Sequence, residues 1–99
     1  MFKRTPSEDV ENFAIELVGE FSRRCPVDRP AGELRALGLA QAIDETCNRA
    51  AAFQKARQLG VYGRAKLGTE FKLKMEELGY PADFVDELTG RLLMSMSGK

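Results

Sequence analysis

The chain has 99 residues, and its 15 basic and 15 acidic side chains give a formal net charge of zero. A chain of this length forms one domain with a modest core. A net charge of zero excludes a general electrostatic attraction to nucleic acid or to a membrane surface. A hydrophobic share of 43% with 30% charged residues is typical of a folded, soluble protein and excludes a disordered chain.

The first predicted helix covers about residues 6–25. Pro6 suits the first helical position, and Thr5 can cap the helix as part of a capping box. Apolar residues then follow at the spacing of one helix face: Val10, Phe13, Ala14, Leu17, Val18 and Phe21. The helix is expected to end near Cys25, because Pro26 disfavours helical backbone in the residue before it.

The second predicted helix covers about residues 33–59 and is expected to be central to the fold. One of its faces carries an apolar stripe with the helical period: Leu39, Ile43, Thr46, Ala50 and Phe53, widened by Ala40, Cys47 and Ala51. The small side chains of this stripe favour close approach of another helix. The stripe lies inside a tight bundle or forms a seam between two copies of the chain. Gly38 bends this helix or ends a short first piece, and the pattern does not decide which.

Leu-Gly pairs mark the predicted helix ends that follow. A large side chain comes after both Gly60 and Gly79, which predicts a left-handed glycine with the next residue packed back on the last turn. Residues 61–68 are expected to form a loop or a short helical turn. Thr69 can then cap a third helix over about residues 69–78, with this apolar side: Leu67, Phe71, Met75 and Leu78.

Pro81 opens the fourth predicted helix, which covers about residues 82–95. Its apolar inner face is expected to contain Phe84, Val85, Leu88, Leu92 and Met96. Four main helices with short connections predict an all-α fold: a single-domain bundle over residues 1–99, with the central helix packed by the others.

Catalytic and metal-binding patterns are missing from the sequence. There is no histidine, the commonest general base and metal ligand. Acidic neighbours such as Asp44 and Glu45 do not face each other on a helix. Cys25 and Cys47 have no metal or redox spacing and are expected to be free thiols. We therefore predict that the protein is not an enzyme and has no metal or cofactor, and no small-molecule substrate is evident.

The expected location is the cytoplasm. No run of about 18 apolar residues is present, which predicts no transmembrane span. The first ten residues contain two basic side chains but turn polar at once, unlike a signal peptide.

The charges are unevenly distributed along the chain. The stretch from Arg49 to Lys74 contains seven basic side chains and one acidic one, whereas residues 1–25 sum to −1 and residues 75–99 to −3. A basic stretch that includes an aromatic residue is one signature of nucleic-acid contact. The candidate anion- or nucleic-acid-binding residues are Arg49, Lys55, Arg57, Tyr62, Arg64, Lys66, Lys72 and Lys74. Alternatively, the acidic first and last helices neutralise this stretch within the fold.

The chain end supplies a second set of candidates. Leu93, Met94 and Met96 dock on the core as part of the last helix, or they form an adaptable contact for a partner. We predict a small cytoplasmic protein-interaction or regulatory module that acts by helix–helix contacts with another protein or with itself, the latter as a homodimer. Nucleic-acid binding through the basic stretch is the alternative function.

Overall fold

The computed structural model describes residues 6–28, 33 and 38–97. Its helices are α1 (Pro6–Arg24), α2 (Leu39–Arg57), α3 (Val61–Glu77) and α4 (Ala82–Ser97). The described ranges contain no strand, so the predicted all-α bundle of four main helices is confirmed. The predicted cap at Thr5 and the chain end from Gly98 lie outside the described residues.

The first two helices form an antiparallel hairpin. Asp9, near the start of α1, pairs with Arg57 at the end of α2, and Glu20, later in α1, pairs with the earlier Arg49. The last two helices form a second antiparallel hairpin. Lys72 of α3 pairs with Asp86 of α4, whereas the earlier Gly68 lies against the later Leu93.

The two hairpins pack against each other so that the first helix of one lies beside the first helix of the other, and the second beside the second. The most extensive contacts join α1 to α3 and α2 to α4, and further contacts join α3 to α4 and α1 to α2. In this ring α2 and α3 stand at opposite corners although they are consecutive in the chain. Helix α2, which the sequence predicts to be central, is therefore packed mainly by α4, with α1 on its other side.

The core lies between the hairpins. All six apolar positions predicted for α1 are buried. Of the predicted stripe, α2 buries only the small residues Thr46, Cys47 and Ala50, with Leu39, Ile43 and Phe53 partly buried against the core. It also buries Ala42, which the predicted stripe does not include. Ala40, predicted to belong to the stripe, is exposed. Helices α1 and α4 of the same chain cover the stripe, which answers the question of a seam there in favour of a tight bundle.

The third helix is longer than predicted. The predicted helix over residues 69–78 is too short, because α3 begins at Val61. Residues 61–68, predicted as a loop or a short helical turn, form the first half of this continuous helix. The N–H of Arg64 donates to the carbonyl oxygen of Gly60 over 3.0 Å and closes the first turn. Glycine is a poor helix former, so tertiary packing overrides local propensity in this segment.

One glycine inside α3 has a specific packing role. A Cβ placed on Gly68 would lie 2.8 Å from Cδ2 of Leu93. The missing side chain therefore lets α4 approach α3 closely at this point. The Leu67-Gly68 pair predicts a helix boundary, but in the structure Gly68 permits the contact between α3 and α4.

The second helix is shorter than the predicted range of 33–59. Gly38 has a left-handed φ of +89° and lies outside α2, which begins at Leu39. Gly38 thus separates α2 from the helical residue Glu33. The remaining residues between Glu33 and Gly38 lie outside the described part of the chain.

The end of α2 is a Schellman motif built on an unexpected residue. The N–H of Leu59 donates to the carbonyl oxygen of Gln54 over 3.0 Å, and Gln58 takes the left-handed conformation with φ of +53°. The predicted left-handed Gly60 is wrong, since its φ is −80°. The backbone here needs a conformation that a side chain makes costly.

We expect Gln58→Gly to stabilise the protein by about 0.5–1 kcal/mol, because glycine adopts positive φ without a steric penalty. Urea denaturation measures the change in the free energy of unfolding. The matched control is Gln54→Gly inside the same helix, which should lose about 1 kcal/mol. A loss of stability in Gln58→Gly would contradict the left-handed assignment.

The end of α3 follows the prediction made for Gly79. Gly79 has a φ of +100°, and the N–H of Tyr80 donates to the carbonyl oxygen of Met75 over 3.3 Å. Tyr80 is buried, whereas Leu78, predicted to lie on the apolar side, is exposed. This turn fixes the angle at which α4 returns along α3.

Candidate interaction surfaces

Helix α1 neutralises the first basic side chains of the stretch. Arg49 forms a close ion pair with Glu20 and lies 4.0 Å from Glu16. Nη1 of Arg57 lies 2.7 Å from Oδ2 of Asp9. The guanidinium groups of both arginines therefore lie at the contact between α1 and α2 and are paired with carboxylates of α1.

The same two arginines cover an aromatic pair. The rings of Phe13 and Phe53 stack with centroids 4.0 Å apart. The guanidinium of Arg49 lies 5.7 Å from the Phe13 centroid, and that of Arg57 lies 5.4 Å from the Phe53 centroid. These are cation–π distances, so each arginine is held by a carboxylate and by a ring.

Two lysines of α3 share one carboxylate. Nζ of Lys66 lies 3.3 Å from Glu70 and 3.2 Å from Glu11 of α1, and Nζ of Lys74 lies 3.3 Å from Glu70. Burial raises the pKa of Glu70, but hydrogen bonds from Lys74 and Lys66 outweigh burial and hold that pKa below its usual value. Hydrogen bonds to Glu11 and Glu70 raise the pKa of Lys66.

The remaining basic candidates differ in their surroundings. Lys72 pairs with Asp86 of α4 over 3.0 Å, and this hydrogen bond raises the pKa of Lys72. Arg64 donates from Nη1 to the carbonyl oxygen of Leu59 over 3.2 Å. Lys55 is exposed, and the described part of the chain places no carboxylate within ion-pair distance of it. Intramolecular carboxylates thus pair with five of the seven basic side chains.

We expect short DNA and RNA to bind no tighter than about 100 µM at roughly 50 mM salt, because paired lysines and arginines release few counterions from a polyanion. A fluorescence titration at two salt concentrations measures this. The Asp9→Asn, Glu16→Gln, Glu20→Gln triple variant removes the carboxylates that pair with Arg57 and Arg49 and should gain salt-sensitive binding. Tight binding by the unmodified chain that weakens steeply with salt would contradict the expectation.

The chain-end candidates do not lie together on the surface. Met96 is buried in the core, and Leu93 is partly buried against Gly68. Met94 alone of the three is fully exposed, at 73% of its surface. The C-terminal helix is therefore docked on the core, and this region offers a partner one methionine.

A more extensive apolar surface lies on α3. Val61 and Tyr62 expose 76% and 80% of their surface, and Leu73 exposes 47%. Tyr62, Leu73 and the exposed Ala65 and Thr69 between them share one helix face at offsets 0, 3, 7 and 11. Val61 lies about 100° around the helix from Tyr62, outside this face. We call Tyr62, Ala65, Thr69 and Leu73 the outer face of α3. Its ends are apolar and its middle is made of small side chains.

Sequence analysis identified Tyr62 but missed this face. A loop or a short helical turn over residues 61–68 does not continue into the next helix, so the prediction lacks the helical period that joins Tyr62 to Leu73. The spacing of Tyr62, Ala65, Thr69 and Leu73 was a usable signal. It is weaker than that of the opposite, buried face, which holds Leu67, Phe71 and Met75.

A cleft of about 280 Å³ lies between α2 and α4. Its walls are mostly apolar: Leu39, Ile43, Phe84 and Leu88. Its polar lining is Glu87 and Arg91, which lie 4.0 Å apart and are both exposed. Two solvated groups that face each other give little to orient a ligand.

The two cysteines lie in the core, away from the exposed surfaces described above. Cys25 and Cys47 are free and buried, and burial raises the pKa of both thiols. Within the described ranges, no group of three or more His, Cys, Asp or Glu is placed to hold a metal ion. The helices described here include none with the length and apolar character that a membrane span needs.

Comparisons with known proteins give no assignment. No protein-family model matches the sequence, and no curated protein or solved structure is significantly similar to it. The function must therefore be argued from the surfaces described above.

Proposed function

We propose that this protein is a small helical interaction module that binds a partner protein through the outer face of α3, as an adaptor or regulatory subunit does. The observation that carries the proposal is the exposure of Tyr62 and Leu73 on one face of a helix whose opposite side is fixed in the core. Aromatic residues are enriched at protein interfaces relative to the rest of the protein surface. An apolar face on a rigid element presents its anchors without a large ordering cost.

The charge arrangement supports a protein partner over a polyanion. Arg49, Arg57, Lys66, Lys72 and Lys74 are paired within the fold. Binding to nucleic acid would need these pairs to break, which removes much of the electrostatic gain. The two free thiols support a reducing compartment, and we propose the cytoplasm as its location.

Site-specific photo-crosslinking in cells tests the proposal. A benzophenone amino acid replaces Tyr62 in one variant, Met94 in a second and Ala52, an exposed residue of α2, in a third. We expect a covalent protein adduct from the first variant and none from the other two. Adducts from the Met94 variant alone, or none from any variant, would overturn the proposal. The mass of the intact adduct identifies a second copy or a different protein.

A further inference from the structure

We infer that the partner bound by the outer face of α3 is a second copy of this chain, with the two α3 helices antiparallel across a two-fold axis. The inference rests on the proposed function, because it names the occupant of the same face. It follows from three features of α3: the order of large and small residues, the charges at its end and the lack of a cap at its start.

The residue order is self-complementary in one direction. Tyr62 and Leu73 are separated by about 16 Å along the helix, and the small Ala65 and Thr69 lie between them. A two-fold axis through the midpoint, near Leu67 and Gly68, places each Tyr62 against the Leu73 of the other copy. The small residues meet at the centre, where they permit close helix approach.

The charges favour the same direction. Glu76 and Glu77 follow the outer face at its C-terminal end and are exposed. In a parallel pair they would face their own copies and repel. In the antiparallel pair they lie beside the start of the other α3, where the N-cap is Gly60, no side chain caps the helix and the first turn has no acid. A carboxylate near a helix N-terminus is favourable.

A two-fold interface of this kind is closed, since each surface is used once by each copy. The exposed Tyr62 and Leu73 of both copies become covered, while the ion pairs between α1, α2 and α3 stay intact. The stripe of small residues on α2 has no part in it, because α1 and α4 cover that stripe within each copy.

Sedimentation equilibrium on the full chain is the first test. We expect a dimer with a dissociation constant well below about 1 mM. Tyr62→Ser and Leu73→Ser should each weaken it by at least about tenfold. Met94→Ser, which changes an equally exposed side chain of α4, should leave it unchanged. A monomer at about 1 mM, or a dimer insensitive to Tyr62→Ser, overturns the inference.

Cysteine crosslinking tests the direction. We expect the Tyr62→Cys, Leu73→Cys double variant to form a disulfide-linked dimer on mild oxidation, because the new thiols face each other across the axis. The Tyr62→Cys variant alone should stay uncrosslinked, as should the unmodified chain, whose cysteines are buried. Efficient crosslinking of Tyr62→Cys with itself overturns the antiparallel arrangement. A monomeric chain that still forms an adduct with a different protein at position 62 overturns this inference and leaves the proposed function standing.

Discussion

Tyr80→Ala is expected to lower the free energy of unfolding by about 3–5 kcal/mol, a large part of the total stability of a small domain. The ring of Tyr80 packs near Phe21 and Phe84, at centroid distances of 5.9 and 6.0 Å. Its hydroxyl donates to the carbonyl oxygen of Cys25 over 2.6 Å. One side chain thus joins the end of α1 to the turn between α3 and α4, and urea denaturation measures its loss.

Two further variants separate these contributions. Tyr80→Phe keeps the ring and leaves the Cys25 carbonyl without its buried donor, so we expect a loss of about 1–3 kcal/mol. Tyr62→Ala removes the other tyrosine, which is exposed, and should change stability by no more than about 0.5 kcal/mol. Equal effects at Tyr80 and Tyr62 would contradict the packing described here.

The stability should also fall at alkaline pH through Tyr80. Burial, followed by the negative charges of Cys25 and Asp28, raises the pKa of Tyr80 from 10.0 to about 12. The folded state therefore binds this proton more tightly than the unfolded state, and the stabilisation is complete below pH 10.0 and is lost as the pH rises towards about 12. We expect Tyr80→Phe to show a smaller decline over that interval, measured by urea denaturation at each pH. An identical decline in both proteins would contradict the assignment.

Gly68→Val is expected to destabilise the protein by about 1–3 kcal/mol through overpacking. A Cβ at this position already lies 2.8 Å from Cδ2 and 3.3 Å from Cγ of Leu93. The branched valine must push α4 away from α3 or force Leu93 out of its place. Urea denaturation again gives the change in the free energy of unfolding.

The bundle offers a matched glycine and a rescue. Gly90 lies on α4 with no atom within 4 Å of an added Cβ, so Gly90→Ala should stabilise the helix by about 0.5–1 kcal/mol. Leu93→Ala makes room at Gly68, so the two changes combined should cost less than the sum of each alone. A stabilising Gly68→Val would show that α3 and α4 are not in close contact there.

Sequence patterns predicted those elements whose local and tertiary preferences agree. In α1 a proline start, an apolar face of one period and a proline after its end all favour the same helix, and the observed end at Arg24 lies one residue before the predicted one. In α4 the predicted range of 82–95 differs from the structure only at its C-terminal end.

Prediction failed where local preference and tertiary contact conflict. Gly63 and Gly68 disfavour a long helix locally and predict a loop or a short helical turn over residues 61–68, yet contact with Leu93 requires a missing side chain at Gly68. Likewise, the left-handed residue at the end of α2 is Gln58, although Gly60 is available. A single sequence does not show which tertiary contacts offset the cost of a residue whose local conformation is unfavourable.

The sequence predicts the neutralisation of the basic stretch but does not predict the exposed face of α3. One of the two alternatives predicted from the charge distribution is that the acidic first and last helices neutralise the basic stretch. Asp9, Glu11 and Glu20 of α1 and Asp86 of α4 have this role. The outer face of α3 does not follow from a prediction that places a loop or a short helical turn over residues 61–68. Exposure depends on which helix faces are covered, and that requires the topology.

The most direct test of the account is the conformation of residues 61–68, since both the packing of α3 on α4 and the proposed interface need an unbroken helix. NMR Cα secondary shifts measure it residue by residue in solution. We predict continuous helical shifts from Val61 to Glu77. Random-coil shifts up to Thr69, with helical values only beyond it, would contradict the account, because Tyr62 and Leu73 would then share no face.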